Sequence, residues 1–287
     1  MASVAERLAA ARRRLEASGI PAPDAAIDAE LLARHILGWD RADLIVRGRD
    51  PEPQDFPALF EALIGRREMR EPVAHIVGSR EFWGLDFEVT PDVLIPRPET
   101  EIIVDEALAF AGTHPCRTVV DVGTGSGCLA VSIAHALPAA RVTAIDISPA
   151  ALAVAARNAA RHGVADRISF ERGDLLGRFT GRADLIVSNP PYVPDADLQS
   201  MQEDVARYEP HGALFGGPSG LEVIEGLFRE AHDHLAAGGH LIVEFGFGQG
   251  EQVSTLAANS GWRVVRIRED LQCIPRTIVL ASSTAQG

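Results

Sequence analysis

TVVDVGTGSGCLAVSIAHAL, Thr118 to Leu137, reads as a buried strand, a glycine loop and a helix in succession. The apolar run Thr118–Val122 is short and shows no polar alternation, which suits a strand covered on both faces. Gly123, Gly125 and Gly127 let the chain turn tightly and pass close beneath a ligand before a helix starts at Cys128. Six further short apolar runs follow the same logic: Val142–Ile145, Ile168–Phe170, Asp184–Val187, Leu241–Phe245, Val264–Ile267 and Ile278–Leu280. Alanine- or leucine-rich helical stretches lie between several of them, at Cys128–Leu137, Pro149–His162 and Leu221–Leu235. This alternation predicts an α/β fold built on an open, mostly parallel sheet.

Upstream the pattern changes. Val4, Leu8, Ala11 and Leu15 recur at helical spacing, as do Leu59, Phe60, Leu63 and Ile64. PAPDAAIDAELLARHILG reads as a helix capped by Asp24 and stopped at Gly38. VAHIVG and FWGLDFEV, between Val73 and Ile95, read as short β-like pieces broken by glycine, as in a hairpin. IPRPETE is a proline-stiffened connection running into a helix over Thr100–Ala111. The expected organisation is a small helical domain over 1–72, a β-hairpin and proline-rich linker over 73–100, and the α/β domain over 101–287.

Composition narrows the function. The net charge is −13 and all 27 basic residues are arginine. From Asp195 to Ser260 two arginines face eleven acidic residues, a poor surface for phosphates, so no stable nucleic-acid partner is expected. Cys116, Cys128 and Cys273 are too few and too scattered for a disulfide framework or a structural zinc site, and no metal is expected. With no span-length apolar run and no leader pattern, the expected location is cytoplasmic, with no membrane association.

A glycine loop alone also fits a plain strand-to-helix turn, and its GxGxG spacing differs from the dinucleotide GxGxxG. Two acids sharpen the reading. Asp146 ends the second strand, where a carboxylate accepts from both hydroxyls of a ribose. Asp174 follows the third, within reach of an adenine amino group. No GxxxxGK[ST] is present to hold a phosphate chain. Adenosine without phosphates points to S-adenosyl-L-methionine. Asp121 either holds the ammonium of its methionine end or anchors the loop, and Cys128 is either an activated thiol or a small packing residue.

The fourth strand delivers SNPPYVP, Ser188–Pro194, to the same sheet edge. Pro190 and Pro191 lack N–H groups, and proline biases the preceding residue to extended geometry. The Asn189 side-chain oxygen and the Pro190 carbonyl then act as two fixed acceptors for a planar NH2 group. They aim its nitrogen at a methyl sulfonium and bind developing positive charge more tightly than the ground state. Tyr192 offers a flat face. Asn189 and Pro190 are the expected catalytic residues, and Asn189, Pro190, Pro191 and Tyr192 the expected substrate cradle.

EPVAHIVGSREFWGLDFEVTPDVLIPRPETE, VVDVGTGSGCLAVSIA, AIDISPAALAVAARNA, IVSNPPYVP and EFGFGQG together resemble the peptide chain release factor glutamine methyltransferases (the HemK/PrmC family). The resemblance covers nearly the whole chain, and Val73–Glu101 is its specific part, since NPPY also occurs in nucleic-acid amino methyltransferases. It implies a seven-stranded, Rossmann-like class I methyltransferase sheet with an antiparallel last strand, a helical N-terminal domain and a hairpin linker. It implies methylation of the side-chain amide of the GGQ glutamine in class I peptide chain release factors, met as transient partners. A ribosomal-protein glutamine is the sister alternative, and amino methylation of a nucleic-acid base a more distant one. By motif, Gly123, Thr124, Gly125, Ser126, Gly127, Asp146, Asp174, Leu175 and Asn189 contact S-adenosylmethionine, and Asn189 to Tyr192 hold the glutamine. Leu175 stands where some members carry an aromatic, which removes stacking on the adenine. Cys273 stands where many have glycine, so a local loop change is expected. Arg97 and Glu99 are expected to pair as a clasp, with lining of the active-site mouth as the alternative.

Overall fold

The structure, a computed structural model, describes residues 2–282 of the 287-residue chain, the Gln199 side chain excepted. The chain divides into two compact units, one running to Ser79 and including Gln202–Tyr208, the other Arg80–Met201 with Glu209 onward.

The first unit contains α1 (Val4–Ala17), α2 (Ala22–Leu37), α3 (Arg41–Arg47), α4 (Phe56–Glu68) and α5 (Val73–Val77). Ser3 and Glu6 form a reciprocal capping box at the start of α1. Its apolar stripe meets Leu32, Phe60 and Ile64 in one core, where Phe56 and Phe60 stack at 5.0 Å. Arg67 is buried in this unit and bonds Asp28 at 2.7 Å and Asp204 at 3.2 Å. Two expectations are corrected. Asp24 is not the cap of α2: Pro21 occupies that place, and Asp24 sits in the first turn, where its charge suits the helix dipole. VAHIVG is not β-like: His75 and Ile76 donate to the Pro72 carbonyl, and Gly78 closes α5 in the left-handed region at φ 77°. Its i, i+3, i+4 set Val73, Ile76 and Val77 packs on the helical core.

The second unit starts at Arg80, inside the hairpin strand β1 (Ser79–Phe82), and continues with β2 (Leu85–Glu88) and α6 (Glu101–Ala111). There follow β3 (Thr118–Val122), α7 (Cys128–Ala136), β4 (Arg141–Asp146), α8 (Pro149–Arg161), β5 (Ile168–Arg172) and β6 (Ala183–Ser188). After α9 (Glu203–Tyr208), which belongs to the first unit, come α10 (Glu222–His234), β7 (Leu235–Glu244), α11 (Gly250–Asn259), β8 (Trp262–Glu269) and β9 (Pro275–Ser282). The large sheet has seven strands in the order β5-β4-β3-β6-β7-β9-β8. Neighbours from β5 to β7 pair parallel, and β9 inserts antiparallel between β7 and β8. The strand order reverses between β3 and β6, so their carboxyl ends flank the crevice where open α/β sheets take ligands.

Each face carries its own core. Ile103, Val104 and Phe110 of α6 and Leu129, Val131 and Ile133 of α7 pack in one cluster with Val119, Val142 and Leu185. Ile224, Leu227 and Phe228 of α10 pack on the other face against Val120, Ile186 and Leu241. Covered on both sides, β3 and β6 bury consecutive apolar residues, Val119 and Val120 in one and Leu185, Ile186 and Val187 in the other, with no in-and-out alternation.

Candidate active site

Gly123, Gly125 and Gly127 all have positive φ, so the loop after β3 is wound with no side chain at its three tightest points. Gly127 shows why alanine does not serve: a Cβ there would lie 2.9 Å from the Cβ of Ala155 on α8. The Gly123 and Thr124 amides donate to the Ile145 carbonyl at 2.8 and 2.9 Å, tying the loop to the end of β4. Asn158 of α8, fully buried, fastens it from behind by donating to the Ser126 carbonyl at 2.8 Å. The Asp146 carboxylate accepts from the Gly125 amide and from the Ser148 amide, each at 2.9 Å, and Ser148 caps α8.

These groups face a cavity of about 340 Å³, a volume suited to a small cofactor. Of the expected contacts, Gly123, Thr124, Gly125, Ser126, Asp146, Asp174, Leu175, Asn189, Pro190 and Pro191 line it. Gly127 and Tyr192 lie outside the lining: Gly127 packs on α8, and the Tyr192 hydroxyl turns away to donate to Glu244 at 3.1 Å. Asp121 is also outside it. Its Oδ2 accepts from the Thr124 hydroxyl at 2.6 Å and the Ala130 amide at 3.1 Å, the arrangement of a loop anchor. Burial pushes the Asp121 carboxyl up to about 7. Desolvation likewise pushes the Cys128 thiol up to about 12, the opposite of an activated nucleophile.

The Asn189 Nδ2 donates to the Thr100 hydroxyl at 2.9 Å, and that hydroxyl donates to Glu244 Oε2 at 2.6 Å. Glu244, the last residue of β7, is buried, which raises its carboxyl to about 7, with the bonds from Thr100 and Tyr192 opposing the rise. The backbone after Tyr192 is held by an isolated parallel bridge between Val193 and Phe215: Val193 donates to the Leu214 carbonyl and Gly216 to the Val193 carbonyl. Gln249 donates to the Tyr192 carbonyl at 2.9 Å and accepts from Gly246 at 2.7 Å. Sequence reasoning assigned no role to Thr100, Glu244, Gln249 or the loop 214–220. Thr100 and Glu244 sit in IPRPETE and EFGFGQG, so the signal was an unexplained acid or hydroxyl beside two strand ends.

The Arg97–Glu99 clasp is overturned. Arg97 lines the cavity and pairs with the buried Glu209 at 2.6 Å, whose second oxygen accepts from the Ile95 amide at 3.1 Å. Glu99 enters the short 3-10 turn Pro98–Thr100 that leads into α6. The change expected at Cys273 is a left-handed residue, φ 60°, in the turn joining β8 to β9.

The sheet order, the glycine loop with its strand-end acid and the cavity at the switch point define a class I methyltransferase, whose methyl donor is S-adenosylmethionine. Its sheet is shared with the methyltransferase from Pyrococcus furiosus (TM-score 0.51, 20% identity, 77% of this chain and 96% of that one). Residues 6–78 match the PrmC N-terminal domain family, and residues 105–207 the methyltransferase small domain family. The release factor glutamine methyltransferase of Cereibacter sphaeroides is 44% identical over 93% of this chain and 94% of its own. That of Geobacter sulfurreducens is 43% identical over 89% of each. The chain belongs to the release factor glutamine methyltransferase family. Among the described residues no helix is long and apolar enough to cross a membrane.

Proposed function

We propose that this protein methylates the side-chain amide nitrogen of the GGQ glutamine in class I peptide chain release factors. It does so in the cytoplasm, in transient complexes and with no nucleic-acid partner. Residues 1–72 serve recognition, 73–100 link, and 101–287 carry the chemistry. One observation carries the reading: the glycine loop with Asp146 and the Asn189–Pro190–Pro191 cradle line a single cavity, so a methyl donor and an amide share one space.

The residues present fit S-adenosylmethionine. Gly123 lines the cavity with no atom within 4 Å of where a Cβ would stand, leaving room for a ligand against the backbone. Asp146, held by two backbone amides, presents fixed acceptors for ribose hydroxyls, and Asp174 and Leu175 border the adenine end. Bound there, the cofactor supplies an electrophilic methyl group. The protein holds the incoming amide: Asn189 Oδ1 and the Pro190 carbonyl accept its two hydrogens and fix the nitrogen's direction. Positive charge developing on that nitrogen is stabilised by the same two oxygens, which gain more from the transition state than from the substrate. The methylated nitrogen then sheds a proton without needing a strong base.

The two halves are separable by mutation. Asn189→Ala should lower kcat roughly 100-fold or more while cofactor affinity by calorimetry stays nearly intact. Asp146→Ala should weaken cofactor binding and leave saturated turnover much less affected. Equal losses of turnover and cofactor affinity in both variants would contradict the assignment.

A further inference from the structure

We infer that Glu244 and Thr100 are positioning residues: the carboxylate, acting through the Thr100 hydroxyl, fixes which edge of the Asn189 amide faces the substrate. This rests on the cradle reading above and deepens it. The Thr100 hydroxyl has one hydrogen and lies 2.6 Å from Glu244 Oε2 and 2.9 Å from Asn189 Nδ2. An ionised carboxylate only accepts, so the hydrogen goes to Glu244. What remains on the Thr100 oxygen is acceptor capacity only, its two lone pairs, and only the NH2 edge of the amide can donate to it. A reversed amide would set two acceptors against each other at that distance. Asn189 Oδ1 is therefore directed away from Thr100, as the cradle requires. The second Glu244 oxygen accepts from the Tyr192 hydroxyl at 3.1 Å, so both ends of NPPY hang from one buried carboxylate.

The relay depends on the charge of Glu244. Once protonated, the carboxyl can donate to Thr100, whose hydrogen is then free to turn toward Asn189, and neither amide edge is favoured. Burial sets the titration high, with Glu99 pushing it further up and Arg276 of β9 pulling it down; the Tyr192 and Thr100 hydroxyls favour the charged form, and the Cys128 thiol of α7 lies within its field. The cradle therefore loses its orientation as pH falls through about 7.

The test follows kcat and KM for a purified release factor against pH in wild type, Glu244→Gln, Thr100→Val and Thr100→Ser. Alongside it, the Asn189 side-chain NH2 is followed by 15N NMR without substrate, its signals assigned by their loss in Asn189→Asp. In wild type, kcat should drop on the acid side with a midpoint near 7 while the NH2 signals shift with the same midpoint. Glu244→Gln should have a lower kcat with no acid limb and pH-independent NH2 signals. Thr100→Val should lose roughly tenfold or more in kcat, Thr100→Ser should restore it, and cofactor affinity should stay within about twofold in each. An acid limb unchanged in Glu244→Gln, Thr100→Val turning over like wild type, or NH2 signals insensitive to pH in wild type would overturn the inference. Should Glu244→Gln not fold, the Thr100 pair and the wild-type NMR titration decide. A wild type that never labels a release factor would refute the proposed function, and the NMR titration would still judge the relay.

Discussion

The loop Gly216–Gly220 lies so close behind NPPY that adding one methyl group to it should disable the cradle. Gly220 has φ 78°, and a Cβ there would stand 2.3 Å from the Tyr192 carbonyl oxygen, 3.0 Å from the Pro194 nitrogen and 3.1 Å from Gln249 Nε2. Two penalties add in Gly220→Ala. The left-handed backbone costs alanine about 1–2 kcal/mol. The overpacked contact costs about 1–3 kcal/mol more, since the clashing atom is backbone already bonded to Gln249. Relief demands a shift of about 1 Å at Tyr192, three residues from Asn189, and a displacement of that size in a catalytic constellation costs on the order of 100-fold in rate. The expected result is kcat down by about that factor, with cofactor affinity nearly unchanged because Gly220 does not line the cavity. Gly163→Ala is the control: φ there is 67° but no atom lies within 4 Å, so it has the strain and no clash. It should lose only about 1–2 kcal/mol of stability and keep its kcat. A Gly220→Ala enzyme with kcat within about threefold of the control would refute the claim that this loop sets the cradle.

Two further outcomes concern stability. Arg67→Met leaves Asp28 and Asp204 without the guanidinium they share, so denaturant unfolding of the first unit should show a loss of about 3–5 kcal/mol, and amide exchange should speed up across α9. A loss below about 1 kcal/mol would show that the buried ion pair is dispensable. Asp121 keeps its proton to about 7 in the native state, whereas the unfolded chain releases it in the ordinary carboxylate range. Between those limits the native state holds a proton here that the unfolded chain has released, so the contribution of this group to stability is fully present at acid pH and is lost as pH rises through about 7. Asp121→Asn should flatten that decline, leaving the part due to Glu244; parallel wild-type and variant curves would contradict it.

The strands of the large sheet were legible because each contains a short apolar run, and the central ones are covered on both faces, which removes polar alternation. The glycine loop and Asp146 were legible because their chemistry is local: a turn too tight for a Cβ and an acid at a strand end. What stayed hidden was non-local. Glu209 lies 112 positions from Arg97, and nothing near Arg97 announces it, so the nearer Glu99 was preferred. The Thr100–Glu244 bond joins the start of α6 to the end of β7 across 144 positions. The loop behind the cradle is visible only as glycines until the contact with Tyr192 explains them. α5 was misread for a different reason: a five-residue apolar run satisfies both periods, and its proline entry and glycine exit decide it only once the helical core is in view.

The central claim is tested most directly by mixing the protein with S-adenosylmethionine carrying a labelled methyl group and a purified class I release factor, beside the same factor with its GGQ glutamine replaced. The account predicts label on the first, on the glutamine side chain, and none on the second. Equal label on both factors, or none on either while S-adenosylmethionine binds normally, would contradict it.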